Sequence, residues 1–183
     1  MKKLCILFPG IGYHCDKPLL YYSSRLARSR GYEVRALRFT DFPSGAKGNE
    51  EKMRLAAAHA LSQSEEQLNG ADFAQYGRIV FIGKSIGTCA CLAYREKMHI
   101  QNVCGILFTP LGFTFEHDTT GFTALHGTAD PWAKTEETER LCREKGVPLF
   151  EFQNADHSLE TGDTFTDLQT LQKAIEKAGE IIL

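Results

Sequence analysis

Three residues far apart in the chain carry types and spacings that could do chemistry together: Ser85, Asp130 and His157. Ser85 stands in Gly83-Lys84-Ser85-Ile86-Gly87, after four apolar residues, Ile79 to Ile82, and before a segment with helical character, Thr88 to Lys97. A serine in G-x-S-x-G between a strand and a helix sits on a turn too tight for a Cβ at either glycine. Such a turn lifts the hydroxyl out at the strand end and aims backbone N–H groups of the helix N-terminus at the same space. A serine hydroxyl is a poor nucleophile until a base takes its proton, and the base needs an acid to orient it. Two later segments hold those types: His126-Gly127-Thr128-Ala129-Asp130-Pro131-Trp132 and Asn154-Ala155-Asp156-His157-Ser158.

Rival readings of these motifs fit the residues less well. Gly83-Lys84-Ser85 is the end of a phosphate-loop pattern, G-x-x-x-x-G-K-S, but Arg78 stands where that pattern needs its first glycine. Gly10-Ile11-Gly12 begins a dinucleotide fingerprint, but Cys15 replaces the third glycine and Arg38 occupies the place of the ribose-binding acid. Asp156 is a rival for the acid, yet as the direct neighbour of His157 it is badly placed to face the imidazole edge. Asp118 is a weaker rival, and His126 reads as a strand-end packing residue. His14, His59, His99 and His117 read as surface or structural residues.

The elements that must position the three residues alternate along the chain. Strands are predicted at Lys3 to Phe8, Glu33 to Arg38, Ile79 to Ile82, Val103 to Phe108, Phe122 to His126 and Pro148 to Phe152. Helices are predicted at Pro18 to Arg30 with Asp16 as N-cap, Glu50 to Gln67, Ile86 to Lys97, Thr135 to Lys145 and Thr164 to Ala178, the last ended by Gly179. Continuously apolar strands separated by amphipathic helices predict a doubly wound α/β fold, a mostly parallel six-stranded sheet with helices on both faces. Ligands bind such sheets outside the carboxyl ends of the strands. Ser85, Asp130 and His157 each fall in a loop just past a strand end, on that same edge.

The whole chain narrows the classes further. Its 183 residues suit one domain with a sizeable core, covering 1–183. A net charge of −2 suggests neither a nucleic-acid nor an anionic-membrane partner. No apolar run approaches membrane-spanning length, and the apolar stretch Leu4 to Phe8 is too short for a signal peptide. Six scattered cysteines without paired C-x-x-C clusters predict free thiols in a cytoplasmic protein and no metal site. The oligomeric state is not set by the sequence.

The three motifs together resemble the α/β-hydrolase superfamily, and most nearly its small dienelactone-hydrolase-like esterases. The elbow at Gly83 to Gly87, the His126-Gly127-x-x-Asp130-Pro131 loop and the Asp156-His157 loop occur in that family's order of serine, acid and histidine. The resemblance runs from Leu4 to the last helix and lacks the family's first two strands. It implies a serine hydrolase that cleaves a carboxylic ester or thioester of a small or accessible substrate through an acyl-enzyme, with no metal or organic cofactor. Ser85 would be the nucleophile, His157 the base and Asp130 the acid. The oxyanion hole would use the Ile86 N–H and a second amide from Phe8-Pro9-Gly10-Ile11-Gly12-Tyr13. That loop is similar to the family's His-Gly-x-Gly loop with Pro9 in place of histidine, which aligns Ile11 as the donor, with Gly12 or Tyr13 as alternatives. Thr109 to Gly121 leaves no room for the helical lid of many relatives. Leu111, Phe113, Phe115 and Trp132 line an open apolar pocket or belong to the core. With an ordinary histidine as base, activity would fall on acidification around the reference value of ~6.5. The alternative is a hydrolase-fold protein that binds a partner and has weak or lost chemistry.

Overall fold

A computed structural model describes residues 1–183. Six strands form one sheet in the order β2-β1-β3-β4-β5-β6, with every neighbouring pair parallel. They are β1 (Lys2–Phe8), β2 (Tyr32–Ala36), β3 (Tyr76–Lys84), β4 (Val103–Phe108), β5 (Phe122–Gly127) and β6 (Leu149–Phe152). The helices between them are α1 (Pro18–Ser29), α2 (Glu50–Gln67), α3 (Ile86–Lys97), α4 (Thr135–Lys145) and α5 (Thr164–Ile181). The predicted doubly wound fold is the one observed.

Alternate residues of the central strands feed two separate cores, as the period of two requires. Leu4, Ile6, Phe8, Ile79 and Phe81 pack toward α2, α3 and α4. Cys5, Leu7, Val80, Ile82 and Ile106 pack toward α1 and α5. Both faces of the sheet are therefore covered, which is why β1, β3 and β4 read as unbroken apolar runs. The chain leaves β1 toward α1 on one face and β3 toward α3 on the other. The carboxyl ends of β1 and β3 are the switch point of the sheet, where a doubly wound fold opens its crevice.

Several element ends differ from the expected ones. β3 runs beyond Ile79–Ile82 to Tyr76 and Lys84, because Lys84 still pairs with Phe108 in β4. The N-cap of α1 is Lys17 rather than Asp16, and Pro18 in the first turn opens the helix without a side-chain cap. Gly179 does not stop α5, which continues to Ile181. A Cβ there would meet Leu26 and Arg30 only at ordinary van der Waals distance, and the residue keeps helical backbone.

Candidate active site

The elbow is built by steric necessity. A Cβ on Gly83 would lie 2.6 Å from the Thr88 Cα, and one on Gly87 would overlap the Phe8 carbonyl oxygen at the end of β1. Between them Ser85 adopts φ 56° and ψ −125°. A left-handed φ on a residue with a side chain is strained and persists only where its surroundings over-determine it. Here the Ser85 amide donates to the Phe108 carbonyl of β4 (3.0 Å), and the Ser85 carbonyl accepts from the Thr88 amide (2.9 Å) and hydroxyl (2.6 Å). The Thr88 hydroxyl also meets that of Thr114 at 2.7 Å, which ties the elbow to the 3₁₀ turn Gly112–Glu116 after β4.

The loops after β5 and β6 bring Asp130 and His157 together. Asp130 Oδ2 lies 2.6 Å from His157 Nδ1, and the Asp130 side chain is 0% exposed. Its other oxygen accepts from the Trp132 amide at 2.9 Å. The Thr128 and Ala129 amides donate to the Phe152 and Ala155 carbonyls, which laces the two loops into one unit, while the Asp130 amide donates to Gly127 within its own turn. The Trp132 ring stands edge-on to the imidazole, with centroids 4.5 Å apart. His157 Nε2 is buried and has no hydrogen-bond partner. The Ser85 hydroxyl is not hydrogen-bonded to it. In serine–histidine pairs without substrate this contact is often loose.

Burial pushes the His157 imidazole down to about 4. The positive charge of Lys84 adds to that effect, and the Asp130 carboxylate opposes it. The imidazole is therefore held below the ordinary histidine value expected from the sequence, because burial outweighs what the carboxylate restores.

The other residues weighed on sequence fall elsewhere. Asp156 Oδ1 accepts from the Ser158 and Glu160 amides and closes its own turn. Asp118 lies just before β5, at the opposite edge of the sheet, paired with Arg95 at 2.6 Å. His126 is buried on β5 beside Thr135. In the loop after β1, the Tyr13 amide is already spent on the Gly10 carbonyl (3.3 Å). Of the three candidates for a second oxyanion donor, that leaves Ile11 and Gly12. Ile86 opens α3, where helix amides have no intrahelical partner.

A cavity of about 430 Å³ adjoins the site through Pro131 and Trp132. Leu111, Phe113 and Phe115 are core residues that also line its wall, but Glu50, Arg54, Glu116 and Glu137 line it too, so it is not the apolar pocket expected. The segment before α2 also reaches the site, with Gly48 against the Trp132 indole and the Lys47 ammonium against Gly12. Motif spacing alone points to neither this loop nor the burial of Lys84. The alternation Val80, Ile82, Lys84 is the signal that points Lys84 inward.

No protein-family model matches the chain, and no curated protein matches it either. Solved structures do. A candidate hydrolase of the alpha/beta superfamily from Xanthomonas campestris superposes with a TM-score of 0.68 at 14% identity, covering 99% of this chain and 98% of that one. The chain has the α/β-hydrolase fold. Esterase Pf2001 of Pyrococcus furiosus matches this hydrolase-fold chain with a TM-score of 0.66 at 14% identity, over 98% of it and 81% of the esterase. An α/β serine hydrolase without lid, also from Xanthomonas campestris, matches with a TM-score of 0.59 at 16% identity, over 96% and 81%. No helix of the hydrolase-fold chain is long and apolar enough to cross a membrane.

Proposed function

We propose that the chain is a serine hydrolase that cleaves a carboxylic ester or thioester of a small or accessible substrate, with Ser85 as nucleophile, His157 as base and Asp130 as acid. The observation that carries this reading is the buried imidazole between them. Its Nδ1 is held by Asp130 at 2.6 Å, its Nε2 is left without a partner, and it lies at the strand edge where Ser85 is held at a strained φ. Holding Nδ1–H against a carboxylate sets the tautomer that leaves Nε2 free to accept a proton.

In the reaction His157 Nε2 takes the Ser85 proton as Oγ bonds to the substrate carbonyl carbon. The resulting oxyanion is met by the Ile86 amide and by that of Ile11 or Gly12. Donors so placed typically contribute several kcal/mol to the transition state. The imidazolium then gives its proton to the departing alcohol or thiol, leaving Ser85 acylated. Water, deprotonated by His157, hydrolyses the acyl-enzyme and restores the serine. The 430 Å³ cavity beside Trp132 is the place for one arm of the substrate. None of these steps calls on a metal or organic cofactor. The six free cysteines fit a reducing cytoplasm, and the chain is read as a single domain.

A fluorophosphonate probe tests the reading directly. The intact protein should be labelled at Ser85, and Ser85→Ala should abolish both labelling and hydrolysis of a p-nitrophenyl ester. A folded wild-type protein that takes no label would instead be a hydrolase-fold binding protein.

A further inference from the structure

Outside the proposed site, another nucleophile stands beside a base and an acid. Cys89 and Glu96 lie two turns apart on one face of α3. Cys89 Sγ is 3.4 Å from Nε2 of His117, the residue that closes the 3₁₀ turn Gly112–Glu116. His117 Nδ1 is 2.7 Å from Glu96 Oε2, and the other oxygen of Glu96 accepts from the Asp118 amide at 2.6 Å. The backbone thus holds the acid, and the acid holds the imidazole. With its proton on Nδ1 against the carboxylate, His117 presents Nε2 to the thiol as an acceptor. A nucleophile within reach of a base that a third group orients is the arrangement that activates weak nucleophiles. The other thiols near the surface lack it. Cys15 and Cys104 are more exposed than Cys89, but their Sγ atoms donate to the Leu37 and Ile79 carbonyls, at 3.4 and 3.8 Å, rather than to a base. Cys91 is turned into the core, with Sγ on the Thr88 carbonyl at 3.1 Å.

We propose that Cys89, His117 and Glu96 form a second nucleophilic centre, a modification site at which a small hydroperoxide oxidises the Cys89 thiol to a sulfenic acid. Cys89 is 8% exposed and the His117 side chain 26%, an opening that suits a small reagent and excludes a bulky one. Burial pushes the Cys89 thiol up to about 12, so the thiol is protonated at rest and needs a base at the moment of attack. In the reaction His117 Nε2 takes the thiol proton as Sγ bonds to the terminal peroxide oxygen. The O–O bond breaks, and the proton passes from His117 to the departing oxygen, which leaves as an alcohol, or as water when the reagent is hydrogen peroxide. Sulfur is oxidised by two electrons and the peroxide is reduced by two. Glu96 stabilises the imidazolium formed between the two proton transfers. Cys91 is directed away from the site, so an external thiol must restore the reduced form.

The test follows each cysteine separately. The folded, reduced protein is exposed to hydrogen peroxide with a dimedone-type probe that captures sulfenic acids, and labelling of each cysteine peptide is timed by mass spectrometry. Cys89 should be labelled faster than Cys15 and Cys104, although both are more exposed. His117→Gln should slow labelling of Cys89 by about tenfold or more and leave Cys15 and Cys104 at their wild-type rates. Glu96→Gln should slow Cys89 in the same direction by a smaller factor. Wild-type protein in which Cys89 is labelled no faster than Cys15 and Cys104 overturns the proposal, and so does a His117→Gln protein that keeps the wild-type rate at Cys89. If the variants fail to fold, the comparison among the three thiols of the wild type decides alone. None of these readouts uses turnover at Ser85, so the outcome is independent of the hydrolase reading.

Discussion

Asp130, in the loop after β5, and Asp156, next to His157 in the loop after β6, show how little sequence proximity says about role. Asp156 adjoins His157 but its Oδ1 accepts from the Ser158 and Glu160 amides. Asp130 is distant in the chain and lies 2.6 Å from the imidazole. Asp130→Asn should lower kcat by roughly 10⁴, because an amide there favours the wrong imidazole tautomer. Asp156→Asn should cost far less. Steady-state kinetics on an activated ester compares the two, and a larger loss at Asp156 would exchange their roles. Ser85→Ala should remove around 10⁴ to 10⁶ of kcat with the fold intact, checked by circular dichroism beside the assay. The pH dependence follows from burial of the base. His157 must be neutral to accept a proton, and it is held down to about 4. Activity measured as kcat/KM should therefore persist through pH 5 and fall near 4, rather than near the ordinary histidine value.

At the scale of elements, the elbow works because three strands and a helix meet with no spare volume. Gly87 packs against the end of β1, and Gly83 packs against the first turn of α3. Gly87→Ala puts a methyl group onto the Phe8 carbonyl. Since neither backbone can move alone, it should cost roughly 1–3 kcal/mol or more and displace the serine. Urea denaturation together with fluorophosphonate labelling would register both effects. Retention of wild-type stability and labelling would mean that the elbow is looser than this packing implies. The Thr88–Thr114 contact (2.7 Å) belongs to the same scale, joining α3 to the 3₁₀ turn after β4.

For the whole molecule, the buried titratable groups shape stability as well as rate. His157 is held below its unfolded value, so the unfolded chain binds the extra proton first. Its contribution to stability is present above about 6.5 and is lost as pH falls toward about 4. Lys84 is likewise held below its unfolded value of 10.5, down to about 7. Between those limits the unfolded chain again binds more protons, so this group's contribution rises with pH. Buried thiols such as Cys5, Cys91 and Cys142 are pushed up, and they oppose that trend once the unfolded thiols ionise. The difference between Lys84→Met and wild type removes their effect. The variant's stability relative to wild type should be greatest at pH 6 and should decline by pH 8.5. Urea titrations at the two pH values measure it, and a difference that does not change with pH would mean that Lys84 keeps its ordinary proton affinity when folded.

The sequence by itself determined the alternation of elements, the parallel sheet and the loops worth inspecting. These follow from local rules: unbroken apolar runs demand burial on both faces, and glycines around a serine demand a tight turn. The residues Ser85, Asp130 and His157 could be chosen because strand ends on one edge converge whatever fills the core. Tertiary structure alone decided the rest. It assigned the Asp130 oxygens to His157 and to the Trp132 amide, removed the Tyr13 amide from the oxyanion candidates and carried Asp118 to the far edge of the sheet. It also lowered His157 well below the expected value. Periodicity can say that Lys84 points inward, but not that the Tyr13 ring lies 4.9 Å from its ammonium there. Proton affinity depends on distances between groups that are remote in the chain, and those distances exist only once the loops after β1, β3, β5 and β6 have been brought to one edge.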